Sequence, residues 1–213
     1  VFKKGKFVFF RQSFLKKNFS GMTVFEAYFT LGFHHIADLQ AYDHMLFLAV
    51  LCAVYQPENW RKLIVIVTGF TIGHSITLAL SVLDIFSLDP QLVEYLIPIT
   101  IILTGITNLL PADRYRQKTI YVETIFFGFV HGMGFSNFLK ASLMEGMEQD
   151  IFTPLLAFNI GVEAGQLMIV AIILCISWVV VGLLGLKQNY WRIGISSLGI
   201  LMATQLIYGL YNA

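Results

Sequence analysis

Apolar runs of bilayer length recur along this chain, and they leave lipid as the solvent in which most of it folds. A spanning helix needs about 20 predominantly apolar residues. Such helices are expected over Ala41 to Tyr55, extended upstream through His35, and over Leu63 to Leu83, Leu92 to Leu110 and Ile120 to about Leu139. Two more are expected over Phe152 to Leu174, or on to Leu186, and over Ile193 to Tyr211. With 57% hydrophobic and only 13% charged residues, the chain has too little polar surface to cover a soluble domain. The expected fold is therefore all-α, a polytopic membrane helix bundle of about six transmembrane helices. Cys52 and Cys175 both fall in apolar runs, where a thiol behaves as a small hydrophobe.

The charges are unevenly placed. Residues 1–21 carry Lys3, Lys4, Lys6, Arg11, Lys16 and Lys17 and no acidic residue. In the short loops the bases alternate. Arg61 and Lys62 follow the first helix, none lies between Leu83 and Leu92, and Arg114, Arg116 and Lys118 follow the third. The next loop holds Glu145, Glu148 and Asp150, and the last one Lys187 and Arg192. Lys and Arg favour the cytoplasmic side, so both chain ends are expected outside a bacterial cytoplasmic (inner) membrane. The basic stretch at the start conflicts with that placement. Residues 1–21 are accordingly read as an extension upstream of a natural start at Met22, with 22–213 as the single helix-bundle domain. A targeting segment is the competing reading, but the stretch lacks a continuous apolar core.

An ionisable side chain at bilayer depth costs about 2.5–3.5 kcal/mol on insertion scales, so each needs a partner, a cavity or a function. His35, Asp43 and His44 lie in the run HHIADLQAYDHMLF, His74 in TIGHS, His131 in FVHGMGF and Glu163 in FNIGVEAGQ. His74, His131 and Glu163 each fall about eleven residues into an expected helix, or about 17 Å, near the middle of a core about 30 Å thick. Asn159, Glu163 and Gln166 share one stripe of the fifth helix, and Thr71, His74 and Ser75 make a polar face on the second. Gly128, Gly132 and Gly134 flank His131 and permit close helix approach. The expected ligands are thus His35, Asp43, His44, His74, His131 and Glu163, supported by Asp38, Thr71, Asn159 and Gln166. Imidazole and carboxylate together suit a divalent transition metal, Ni or Zn, over Mg or Ca. A lone intramembrane histidine is also a common strut between helices, so the structural alternative stands beside each residue. Glu94 is expected to snorkel outward and Glu123 to pair with Arg114 or Arg116, and the abundance of Phe and Tyr is ordinary for lipid-facing and interfacial surface.

These motifs resemble the HupE/UreJ family of bacterial membrane proteins. The likeness is carried by LGFHHIADLQAYDHMLFLAVL, GFTIGHSITLALS, FGFVHGMGFS and FNIGVEAGQL, from about Phe25 onward. The resemblance implies nickel supply to hydrogenase and urease, through a permease whose first-helix His and Asp and HG-motif His handle the ion. The fourth-helix motif has one His, with Gly134 and Phe135 where a second such repeat is expected, which aligns the chain with the broader branch of the family. A permease is the leading reading, with metal ion and lipid as partners and no nucleic acid. An intramembrane zinc-dependent hydrolase using the same ligands and an accessory structural subunit are the alternatives.

Overall fold

A computed structural model describes residues 21–39, 42–110, 116–142 and 150–212; the basic stretch over residues 1–20 lies outside them. The described residues form a helical membrane bundle. Helix α1 (Val24–Ala37) opens on a capping box in which the Thr23 hydroxyl accepts from the Glu26 N–H and the Glu26 carboxylate accepts from the Thr23 N–H. It ends at Asp38, whose backbone is extended, and α2 (Asp43–Cys52) restarts after the break. A 3-10 turn at Pro57–Asn59 leads into α3 (Trp60–Val82). Helix α4 (Pro90–Leu109) is started by Asp89, which accepts from the Gln91 N–H, and by Pro90 in the first turn. Helices α5 (Arg116–Ser142), α6 (Phe152–Ser177, continued by a π-helical turn over Trp178–Leu183) and α7 (Gln188–Tyr211) complete the fold.

Two expectations need correction. Among the described residues, four helical segments rather than six are long and apolar enough to span a bilayer: Pro57–Val82, Pro90–Leu109, Phe152–Leu183 and Gln188–Tyr211. Helix α5 has the length, but between Ile120 and Leu139 it mixes Glu, His, Thr, Ser and Asn with its apolar residues. The first expected helix, His35 to Tyr55, is instead the 10-residue α2 preceded by the last turn of α1, a 14-residue helix that begins upstream of the expected one, at Val24. The reason lies in what the break achieves. In a continuous helix His35 and His44 would stand about 13.5 Å apart along the axis, whereas here their rings are 4.7 Å apart. Tertiary convergence ends the helix after Ala37.

Glycines set the helix seams. A Cβ at Gly128 would collide with the Phe70 carbonyl and one at Gly73 with the Ile125 carbonyl, so α3 and α5 touch backbone to backbone. Contacts advance together along both helices, from Gly69 against Ile125 to Gly132 against Thr77, so the two run in the same direction. Gly32 and Gly161 serve the α1–α6 seam in the same way, against Phe158 and Phe29. Helix α4 runs antiparallel to α7, with Gly105 against Ile200 and Asn108 against Ser196. Asn108 also donates to the Val50 carbonyl at 2.6 Å, tying α2 into the same joint.

The outer surface is apolar, with Ile172, Ile176, Trp178, Leu198, Leu201 and Tyr208 all exposed along α6, its π turn and α7. At one end of the bundle, α3 closes in a Schellman motif. Ile85 N–H reaches the Leu80 carbonyl at 2.9 Å and Asp84 N–H the Ser81 carbonyl at 3.2 Å, with Asp84 in the left-handed region at φ +57°. The Asp84 carboxylate is ion-paired with Lys140 of α5.

Candidate metal centre

The α1–α2 break, α3 and α5 bring imidazoles to one buried centre. His35 is in the last turn of α1, His44 in the first turn of α2 and His74 midway along α3. One nitrogen from each lies within 4.8 Å of the other two. The His74 ring is 6.1 Å from that of His35 and 6.4 Å from that of His44. His131 on α5 adds a fourth ring, 5.0 Å from His44.

Hydrogen bonds fix which nitrogen two of the rings, those of His44 and His131, present. The Asp43 Oδ1 accepts from the His44 backbone N–H at 2.9 Å and lies 3.1 Å from its Nδ1. A carboxylate only accepts, so Nδ1 carries the proton and Nε2 presents its lone pair to the centre. His44 Nε2 has no hydrogen-bond partner among the described residues. The Thr100 hydroxyl donates to the Ile97 carbonyl at 2.7 Å, which uses its proton, and sits 3.1 Å from His131 Nε2. His131 Nε2 therefore donates to Thr100, leaving Nδ1 as the lone-pair atom. His74 is fully buried beside Asn159, with neither ring nitrogen in a hydrogen bond of ordinary geometry. Such orphaned nitrogens are costly in an apolar interior, and a metal ion is a partner that would satisfy them. Metal–nitrogen bonds of about 2.1 Å would require these rings to close by up to about 1 Å, within reach of small rotamer changes.

Phenylalanines wall the centre. Phe135 lies 3.9 Å from His35 ring to ring, Phe158 stacks on His74 at 6.3 Å, and Phe47 and Phe70 pack on His131 at 5.4 and 5.2 Å. All are buried. The abundance of Phe alone does not mark them out from lipid-facing or interfacial rings. Their signal was in the spacing: Phe70 and His74, like His131 and Phe135, are one helical turn apart and share a face. Thr100 had no such signal, because its helix holds no buried ionisable residue.

The remaining expected residues lie around the centre rather than in it. Glu163, half-buried on α6, accepts a 2.7 Å hydrogen bond from Thr68, and Gln166 accepts one of 2.8 Å from Thr71. Asn159 donates to the Leu155 carbonyl at 2.8 Å. Asp38 caps the C-terminal end of α1. His34 and Glu94 are exposed and Glu123 half-buried; the side chains of its expected partners Arg114 and Arg116 lie outside the described residues. Gly134 faces Ile97 and Val93 of α4.

The family model for HupE / UreJ protein matches residues 11–210. The chain belongs to the HupE/UreJ family. The matched span takes in every helix that supplies the histidine centre. Comparison with curated proteins and with solved structures found no match.

Proposed function

We propose that this HupE/UreJ protein is a permease for a divalent transition-metal ion of the nickel type. The observation that carries the reading is the convergence of His35, His44 and His74 within 4.8 Å inside the bundle. Family membership supports it, since the family is associated with nickel and cobalt transport. Neutral imidazoles select first-row transition metals over Mg and Ca. Asp43 supplies a carboxylate hydrogen-bonded to a ligand ring, which orients His44 and offsets part of the ion's charge. The ion passes from the outer face of the cytoplasmic membrane, past Asp43 and His44, to His74 and His131. The aromatic wall keeps water from competing for the ion at that point. Both chain ends lie outside in this arrangement, following the alternation of basic loops.

The test is uptake of Ni²⁺ into proteoliposomes loaded with a metal-sensitive dye, together with metal binding by the detergent-purified protein. Saturable uptake that disappears in the His44→Ala, His74→Ala double variant is the expected result. Folded, inserted protein that neither binds nor passes metal would leave only the accessory structural role. The zinc hydrolase reading is favoured by one feature, a histidine-rich donor set with a carboxylate behind one ligand, which is also the pattern of hydrolytic zinc sites. Stoichiometric zinc retained through purification, without uptake, would select it.

A further inference from the structure

Beyond the histidine centre, α3 and α6 are joined by a second polar feature of different chemistry. Its first rung is Thr68 with Glu163 at 2.7 Å and its second Thr71 with Gln166 at 2.8 Å. Both rungs step by three residues on each helix, so they are neighbours on one seam. Every side-chain atom in these two hydrogen bonds is an oxygen, and Glu163 brings a carboxylate into the membrane-spanning part of α6. Helix glue alone needs no charge there, and an intramembrane carboxylate is expensive.

We propose that Glu163, held by Thr68, is a second cation site of the permease, and that it takes the ion whose gradient drives metal movement. Oxygen donors suit a hard cation, H⁺ or Na⁺, and not the soft-to-borderline metal chosen by the imidazoles. In each cycle the carboxylate takes up one such cation from water on one side and gives it to water on the other. This rests on the permease reading above. The link to the metal is physical: α3 carries Thr68, Thr71 and His74, and α6 carries Glu163 and Gln166 together with Asn159 beside His74 and Phe158 stacked on it. A cation at Glu163 therefore acts on the seam that also positions His74.

Few ionisable groups come to this level. On α6, the positions one turn either side of Glu163 are Asn159, Ile160, Gln166 and Leu167. Helix α1 meets α6 through Phe29, Phe33 and Ile36, with His34 and His35 beside Phe33. On α3 the nearest are His74 and the exposed Lys62, each about 9 Å along the axis from Thr68. Asp43 and His44 of α2 belong to the histidine centre, and Glu58 in the 3-10 turn is exposed.

Glu163→Gln is the decisive variant, because an amide oxygen still accepts from Thr68 while the charge is lost. Proteoliposome uptake of Ni²⁺ is measured under an imposed pH gradient or an imposed Na⁺ gradient, with the voltage clamped, alongside Ni²⁺ binding in detergent. In the wild type one gradient is expected to accelerate uptake by about tenfold or more, the range of ordinary coupling energies. Which gradient does so identifies the ion. Glu163→Gln is expected to bind Ni²⁺ like the wild type and to lose the acceleration. Thr68→Val, which removes the donor and keeps the carboxylate, is expected to weaken it and serves if Glu163→Gln fails to fold. Wild-type uptake indifferent to both gradients, or a Glu163→Gln variant as responsive as the wild type, overturns the inference. Wild-type protein that binds no metal and shows no uptake overturns the permease reading instead.

Discussion

Replacing Asp43 by Asn isolates what the carboxylate does for the metal centre. Its Oδ1 accepts twice from His44, at 3.1 Å from the ring and 2.9 Å from the backbone N–H. The amide oxygen of Asn keeps both acceptances and removes the charge. Charge-assisted hydrogen bonds contribute about 1.5–3 kcal/mol and neutral ones about 0.5–1.5, so the change is worth about 1–1.5 kcal/mol. With 26% of the Asp43 side chain exposed, solvent screening favours the lower figure. Ni²⁺ affinity is therefore expected to fall by roughly 5–10-fold. Asp43→Ala also frees the His44 ring to change tautomer, and the expected loss grows to about 10–100-fold, the usual range for partners behind a ligand. The assay is competition with a chromophoric chelator in detergent, run on the wild type, both variants and each change in a His44→Ala background. If Asp43 acts through the ring, its removal costs nothing further once His44 is gone. An undiminished loss in that background, or no loss in the native one, would refute the argument.

Three further expectations concern the bundle. Gly128→Ala pushes a methyl group into the Phe70 carbonyl across the α3–α5 seam and is expected to destabilise by about 1–3 kcal/mol, read as a lower thermal midpoint in detergent; an unchanged midpoint would show that the backbones do not touch. Asn108→Leu removes the side-chain donor from the Ser196 hydroxyl and from the Val50 carbonyl, which keeps only the 3.3 Å bond from the Ala53 N–H, a loss of about 1–3 kcal/mol that Asn108→Gln should not fully recover. Asp84→Ala keeps the left-handed backbone at φ +57° and loses the Lys140 pair, so it is expected to cost about 1 kcal/mol. Asp84→Gly relieves the backbone and should come out near the wild type, and equal losses in both would exclude the backbone contribution.

The sequence made the polar positions legible because lipid penalises them. His35, His44, His74 and His131 stood out against apolar neighbours, and the structure gathers all of them. The glycines around His131 carried the close approach of α3 and α5, since only a missing side chain allows it. Other features depend on tertiary geometry. The break after Ala37 has no Gly or Pro to announce it, because it is imposed by the meeting of His35 with His44. Hydropathy cannot distinguish a phenyl ring against lipid from one against an imidazole, so the wall of Phe47, Phe70, Phe135 and Phe158 was hidden in an ordinary composition. Glu163 and Gln166 were visible as a stripe, but not that Thr68 and Thr71 would occupy them on the α3–α6 seam.

X-ray absorption of the Ni²⁺-loaded, purified protein tests most directly whether one ion is shared by these helices. Imidazole scattering with nickel–nitrogen distances of about 2.1 Å is expected, and the His74→Ala variant should lose one imidazole from the shell. A shell made of oxygen alone, or a His74→Ala spectrum identical to that of the wild type, would contradict it.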